Sequence, residues 1–242
     1  MRIARFARGD GVAYGIVEGA DAAATIAELH GHPFGVDPGA VRLTGRVYPL
    51  AEVRLLAPVL PSKVIGFSEA AGVAGQLFLK PSTAVTGPSD AIRYPVKLAD
   101  RVTFSGQLAV IIGRLCHQVP RERAEEVVFG YSCASDVTAG GLDMTRAKGF
   151  DTFCPLGPWM ETGALPADFV ITTEVNGAVR ASSQTAPDVP ELIAYVSEVM
   201  TLLPGDVLLT GPAGDGGQLG PGDEVAVTIG GIGTLNSRVI AG

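Results

Sequence analysis

The chain has 242 residues, 47% hydrophobic and 18% charged, with a formal net charge of −7. That length and apolar content suit a sizeable buried core and exclude a disordered chain, while the negative charge opposes nucleic acid binding. The 32 glycines and 17 prolines predict many turns, hence many short strands. Met1–Phe6 alternates like a strand and lacks the long apolar core of a signal peptide. No run approaches a membrane span, so a soluble chain without membrane partners is expected. Cys116, Cys133 and Cys154 are odd in number and scattered, which suits reduced thiols and a cytoplasmic location.

In chain order, residues 1–58 read as a small N-terminal β-rich domain, with strands at Ile3–Phe6, Val12–Val17 and Thr25–Leu29 and an exit strand at Val53–Pro58. His30 and His32 flank Gly31 and precede Pro33, which makes them exposed turn residues. Residues 59–242 read as a longer, mostly β body of mixed α/β class. Its strands are expected at Lys63–Gly66, Leu77–Lys80, Leu108–Ile112, Val127–Ser132, Phe169–Val175, Val207–Thr210 and Glu224–Ile229. A short helix is expected at Arg121–Val127 after Pro120. A longer one is expected at Val189–Met200, capped by Asp188, with Pro190 in its first turn and a stripe of Leu192, Ile193, Val196, Val199 and Met200. Cys133 and Cys154 lie in apolar surroundings and read as buried filler, and His117 reads as an exposed loop residue.

The segment Phe104–Gly113 is an apolar strand interrupted by Ser105 and Gln107, which share one face. Two acids there would grip a divalent cation, but a hydroxyl and an amide are far weaker ligands for a hard ion. Pattern alone leaves a barrel, a sandwich and a rolled sheet open.

Six ordered segments resemble the fumarylacetoacetate hydrolase family. They are Phe78–Pro81, Gly106–Arg114, Phe129–Ala139, Arg146–Trp159, Val175–Gly177 and Leu203–Gly211. The resemblance spans nearly the whole chain. It implies a rolled mixed β-sheet body with a small N-terminal β domain, a homodimer, and a site at the mouth of the roll. Family members hold Mg²⁺, Mn²⁺ or Ca²⁺ there with a Glu-x-Glu pair and an Asp, and stabilise the enolate of a 1,3-dicarbonyl or 2-oxo acid. A His-x-x-Glu segment on a lid activates water for carbon–carbon cleavage.

This chain departs from that pattern at five places. Ser105-Gly106-Gln107 replaces the acid pair, leaving Asp136 as the third position, so all three are vestigial and no metal is expected. The lid segment Gly66–Leu77 is short, has no histidine, and offers Glu69 as its acid. The loop after Ala139 is shortened to Gly140–Met144, the glycine turn Thr210–Gly214 lacks a threonine, and Ala181 stands where the family often has glutamine. Departures confined to the site, on a scaffold that matches, imply that the original chemistry was released while the fold was kept. Candidate catalytic residues are Asp136, Lys148 and Glu69; candidate substrate-binding residues are Ser105, Gln107, Lys80 and Thr210. Lys148 suits electrostatic binding of a carboxylate or enolate.

Three functions follow. The first is a metal-independent enzyme that cyclises, isomerises or eliminates a small polyketide-like or dicarbonyl substrate, in a setting such as secondary metabolism. The second is an inactive pseudoenzyme or binding subunit. The third is a residual Mg²⁺- or Mn²⁺-dependent acylpyruvate-type hydrolase or oxaloacetate decarboxylase.

Overall fold

The structure is a computed structural model that describes residues 1–9, 11–19, 23–35, 41–68, 76–165, 168–184 and 187–242. Its strands in chain order are β1 (Arg2–Arg8), β2 (Gly11–Glu18), β3 (Thr25–Leu29), β4 (Leu43–Pro49), β5 (Arg54–Leu56), β6 (Lys63–Phe67), β7 (Leu77–Pro81), β8 (Val85–Thr86) and β9 (Ala91–Tyr94). They continue with β10 (Val102–Ile112), β11 (Val128–Ala139), β12 (Cys154–Glu161), β13 (Ile171–Val175), β14 (Ala178–Ser183), β15 (Val207–Leu209), β16 (Gln218–Leu219), β17 (Glu224–Ile229) and β18 (Gly233–Ala241). Two α-helices, α1 (Met144–Lys148) and α2 (Val189–Val199), and a 3₁₀ segment at Arg121–Val127 complete the regular structure used below.

The strands form two sheets. The larger has 13 strands in the order β4-β3-β2-β1-β12-β11-β10-β15-β6-β7, with β16 on β10, β5 on β1 and β8 on β12. The smaller runs β14-β13-β17-β18-β9. The mixed, mostly β architecture is therefore the one expected.

The larger sheet does not stop at residue 58. Within it β1 pairs with β12 through Arg2–Glu161 and Ile3–Met160. Ile3 and Leu29 share a buried cluster with Ala109, Ile111, Leu156 and Leu209. The N-terminal strands thus extend the body's sheet and its core.

Burial explains the apolar run in β10. On one face Leu108 packs toward Val227 and Ile171 of the smaller sheet and Val110 and Ile112 toward Leu192, Ile193 and Val196 of α2, while on the other Ala109 and Ile111 join Leu156 and Leu209. A strand covered on both faces reads as a continuous hydrophobic run rather than an alternating one. In the half toward Val102 the faces separate. Phe104 enters the inter-sheet core and Gly106 faces Thr173 and Val227, while Ser105 and Gln107 take the opposite side.

Several details depart from expectation. The strand expected at Val127–Ser132 runs on to Ala139, because β10 pairs with it along its whole length and satisfies its backbone despite the polar Ser132, Ser135 and Asp136. The short helix expected at Arg121–Val127 is present over those residues, as a 3₁₀ segment. The link after Gly140 contains α1, capped by Asp143, which accepts from the Arg146 amide at 3.1 Å. In α2 the cap is Asp188, accepting from Glu191 N at 3.1 Å, but Val199 on its final turn is exposed. His30, His32 and His117 are exposed, and His32 meets the Tyr14 hydroxyl at 3.2 Å.

Candidate active site

β10 and β11 supply the platform of the site. Their antiparallel register sets Ser105 opposite Asp136, Thr103 opposite Thr138 and Gln107 opposite Ala134. Side chains directly opposite share a face, so these residues form one polar patch. Two lysines reach it from elsewhere. Lys148 is the last residue of α1, and Lys80 comes from β7, where the two-residue period also brings Phe78 to the same side. Gly66 makes room for that ring, since a Cβ there would lie 2.3 Å from Phe78.

Asp136 is the hub. Its Oδ2 accepts from Lys148 Nζ at 2.6 Å and from Gln107 Nε2 at 3.2 Å, and its Oδ1 lies 2.9 Å from Lys80 Nζ. Lys148 also donates to Thr138 Oγ1 at 2.8 Å and lies 4.1 Å from the centre of the Phe78 ring. Lys80 donates to the carbonyls of Val137, Phe153 and Lys148 at 2.7, 2.9 and 3.3 Å. An ammonium has three N–H groups, so these carbonyls use all of them and the Asp136 contact is one of charge, off the hydrogen-bond axes.

Gln107 has only one workable orientation. Its Oε1 accepts from Gly211 N at 2.9 Å, while its Nε2 faces Asp136 and donates to Ser105 Oγ at 3.1 Å. Flipping the amide would set N–H against N–H at Gly211 and oxygen against oxygen at Asp136. The amide therefore turns its donor end toward the patch. Burial pulls the Lys148 amine below the ordinary lysine range, Lys80 pushes the same way, and Asp136 opposes both.

This donor set does not fit a hard divalent cation. Such ions take oxygen ligands with charge. Here the single carboxylate faces two ammoniums, the amide presents N–H, and the third position is a neutral hydroxyl. Among the described residues no group of three His, Cys, Asp or Glu converges as metal ligands do.

The residues chosen from sequence fare differently. Asp136, Lys148, Ser105 and Gln107 come together. Lys80 is fully enclosed, so the expected contact with substrate is replaced by contacts with protein. Gln107 is equally enclosed and meets the patch through Ser105 and Asp136. Thr210 is buried and turns its hydroxyl to Leu108 O at 3.2 Å, leaving the adjacent Gly211 amide to reach Gln107. Glu69 lies outside the described residues. The half-buried Ser105, Thr103 and Thr138 form the side of the patch nearest solvent, and Lys148 is itself buried. Thr138 and Phe78 had not been assigned, although each sits two residues from an assigned one on the same strand face. All three cysteines are free and buried, and burial raises the Cys154 thiol to about 12.

The model of the fumarylacetoacetate (FAA) hydrolase C-terminal domain matches residues 66–240, and a model named Rv2993c-like, N-terminal, matches residues 1–58. The chain belongs to the fumarylacetoacetate hydrolase family. It is 32% identical to oxaloacetate tautomerase YisK of Bacillus subtilis over 226 residues, covering 80% of this chain and 75% of that protein. Among solved structures it is similar to a 5-carboxymethyl-2-hydroxymuconate delta-isomerase from Mycobacterium smegmatis, with 46% identity, full coverage of both chains and a TM-score of 0.91. It is also similar to maleylpyruvate hydrolase from Sphingobium sp. SYK-6, solved with manganese(II) and pyruvate, at 32% identity, full coverage of both chains and a TM-score of 0.83. The family's members therefore include isomerases and tautomerases as well as hydrolases. Among the described residues no helix is long and apolar enough to cross a membrane.

Proposed function

We propose that the chain is an isomerase of the tautomerase type, acting on a small 2-oxo acid or 1,3-dicarbonyl compound without a divalent metal. The observation that carries this reading is the Lys148–Asp136 pair, a proton donor and acceptor 2.6 Å apart beside the hydroxyls of Ser105 and Thr138. Keto–enol isomerisation moves one proton between carbon and oxygen and needs no activated water. A positioned acid–base couple contributes about 10²–10⁴-fold to such a step. The ammonium of Lys148 also offsets the charge of an enolate, a role that a metal fills in relatives with an acidic ligand set. Cyclisation and elimination would use the same couple, and the relatives named as isomerases and tautomerases favour isomerisation.

The remaining parts of the reading are a homodimer and a reducing, cytoplasmic setting. The buried free thiols support the latter.

The test follows the enol absorbance of oxaloacetate with protein dialysed against EDTA. Accelerated ketonisation is expected, falling by about 10²–10⁴-fold in Lys148→Met and Asp136→Asn. No acceleration, or acceleration only after Mg²⁺ or Mn²⁺ is added, would overturn the reading.

A further inference from the structure

We propose that the hydroxyls of Ser105 and Thr138 form a matched pair of donors for the two oxygens of a substrate enolate, and that Gln107 is the positioning residue that aims the first of them. The proposal rests on the isomerase reading and names the atoms that hold its intermediate.

The donors are found by counting hydrogens. Asp136 Oδ2 accepts from Lys148 Nζ at 2.6 Å and from Gln107 Nε2 at 3.2 Å. Each of those nitrogens also reaches a hydroxyl: Lys148 Nζ donates to Thr138 Oγ1 at 2.8 Å, and Gln107 Nε2 donates to Ser105 Oγ at 3.1 Å. An ammonium has no lone pair to offer. The Gln107 amide is fixed by the Gly211 N–H on its Oε1 at 2.9 Å, so its other end only donates. Both hydroxyls are therefore acceptors in these bonds, and each keeps its single hydrogen for another partner. Among the described residues neither hydroxyl has an acceptor for it.

Placement gives the two hydrogens a common target. Ser105 stands opposite Asp136, and Thr138 lies two residues further along β11 on the same face. Such diagonal neighbours are about 7–8 Å apart, a gap that two side chains can close over one small ligand. Both residues are half-buried, whereas Gln107 and Lys80 are fully enclosed. The hydroxyls thus lie on the side of the patch that a ligand meets first. Thr103, the third hydroxyl of the row, has no such donor behind it among the described residues.

Charge suits an enolate. Lys80 and Lys148 face one carboxylate, which leaves the cluster with a single net positive charge. A hydroxyl that receives a hydrogen bond is polarised and donates more strongly. Oxygens on which negative charge develops then meet two polarised O–H groups within the field of Lys148, and preorganised donors of this kind stabilise that charge without reorganising. Gln107 acts on the ligand only through Ser105 and Asp136.

The test uses the full chain dialysed against EDTA. It follows ketonisation of oxaloacetate and calorimetric binding of oxalate, a planar anion whose paired oxygens mimic the enolate of a 2-oxo acid. Ser105→Ala and Thr138→Val should each lower kcat by about 10²-fold, as loss of one oxyanion donor does. Each should also weaken oxalate at least about tenfold, the effect of one hydrogen bond to a charged group. Ser105→Thr and Thr138→Ser, which keep a hydroxyl, should recover most of each loss. Gln107→Met should lower kcat far more in the parent than in Ser105→Ala, because aiming a hydroxyl has no effect once the hydroxyl is gone. Equal losses in the two backgrounds would overturn the role of Gln107. Ketonisation and oxalate binding unchanged in Ser105→Ala and Thr138→Val would overturn the donor pair and leave the isomerase reading standing. Oxalate weakened in both variants, with no ketonisation by the parent, would support the pair and overturn the isomerase reading. Neither ketonisation nor oxalate binding by the parent would overturn both.

Discussion

Gln107 and Ser105 occupy the strand positions on which the metal question turns, and their partners decide it. The amide donates into the patch and the hydroxyl sits beside it, so the site presents N–H and O–H where a hard cation needs anionic oxygen. Restoring charge should restore affinity. The double variant Ser105→Glu, Gln107→Glu is expected to bind Mn²⁺ in an electron paramagnetic resonance titration, whereas the parent chain should leave the Mn²⁺ signal at its free value. Stoichiometric Mn²⁺ binding by the parent chain would refute the misfit. On the opposite face, a Cβ on Gly106 would lie 2.3 Å from Thr173 Oγ1 and 3.0 Å from a Val227 methyl. Gly106→Ala should therefore cost about 1–3 kcal/mol in a urea titration, as overpacked cores do. The polar residues of β10 and β11 were legible once the family pattern was recognised. The role of Lys80 was not, because a lysine is ordinarily solvated and nothing local shows that three carbonyls from distant segments converge on it.

At the scale of elements, β6, β15 and the turn before β15 are locked by Asp206. This fully buried carboxylate accepts from Ser62 N, Ser62 Oγ and Lys63 N at 3.0, 2.7 and 3.2 Å, from Leu203 N at 2.8 Å and from Lys63 Nζ. Burial alone would raise its pKa, but the hydrogen bonds from Lys63, Ser62 and Leu203 outweigh burial and hold it below the ordinary aspartate range. A depressed folded-state pKa adds stability above the unfolded value near ~3.9, and that stability is lost as pH falls through the folded one. Asp206→Asn should thus lose about 3 kcal/mol at neutral pH and show a shallower decline below about pH 4 in acid titrations followed by circular dichroism. Removing the α2 cap by Asp188→Ala should cost about 1 kcal/mol in a thermal melt. The cap was legible because Asp188, Pro190 and the apolar spacing agree within one short segment. Asp206 was legible only as part of a Pro-Gly-Asp turn, since its partners at Ser62 and Lys63 are far away in sequence.

For the whole molecule, the continuity of the larger sheet matters most. The N-terminal strands were legible as strands, but their attachment was not, because pairing of β1 with β12 joins segments separated by most of the chain. Local pattern carries the period of a strand and says nothing of its neighbour. Removing residues 1–58 would expose the β12 edge and strip Ile3 and Leu29 from the shared core. The remaining 59–242 fragment is expected to lack a cooperative thermal transition and to aggregate. A sharp transition close to that of the full chain would contradict this account. The long strand β10 has one further consequence. Its alternate residues answer to different constraints: Phe104, Gly106 and Leu108 to the fit between sheets, Ser105 and Gln107 to whatever occupies the patch. An inheritable change on one side leaves the other untouched, so a lineage can exchange its reagents two residues apart while the packed seam between the sheets is passed on intact.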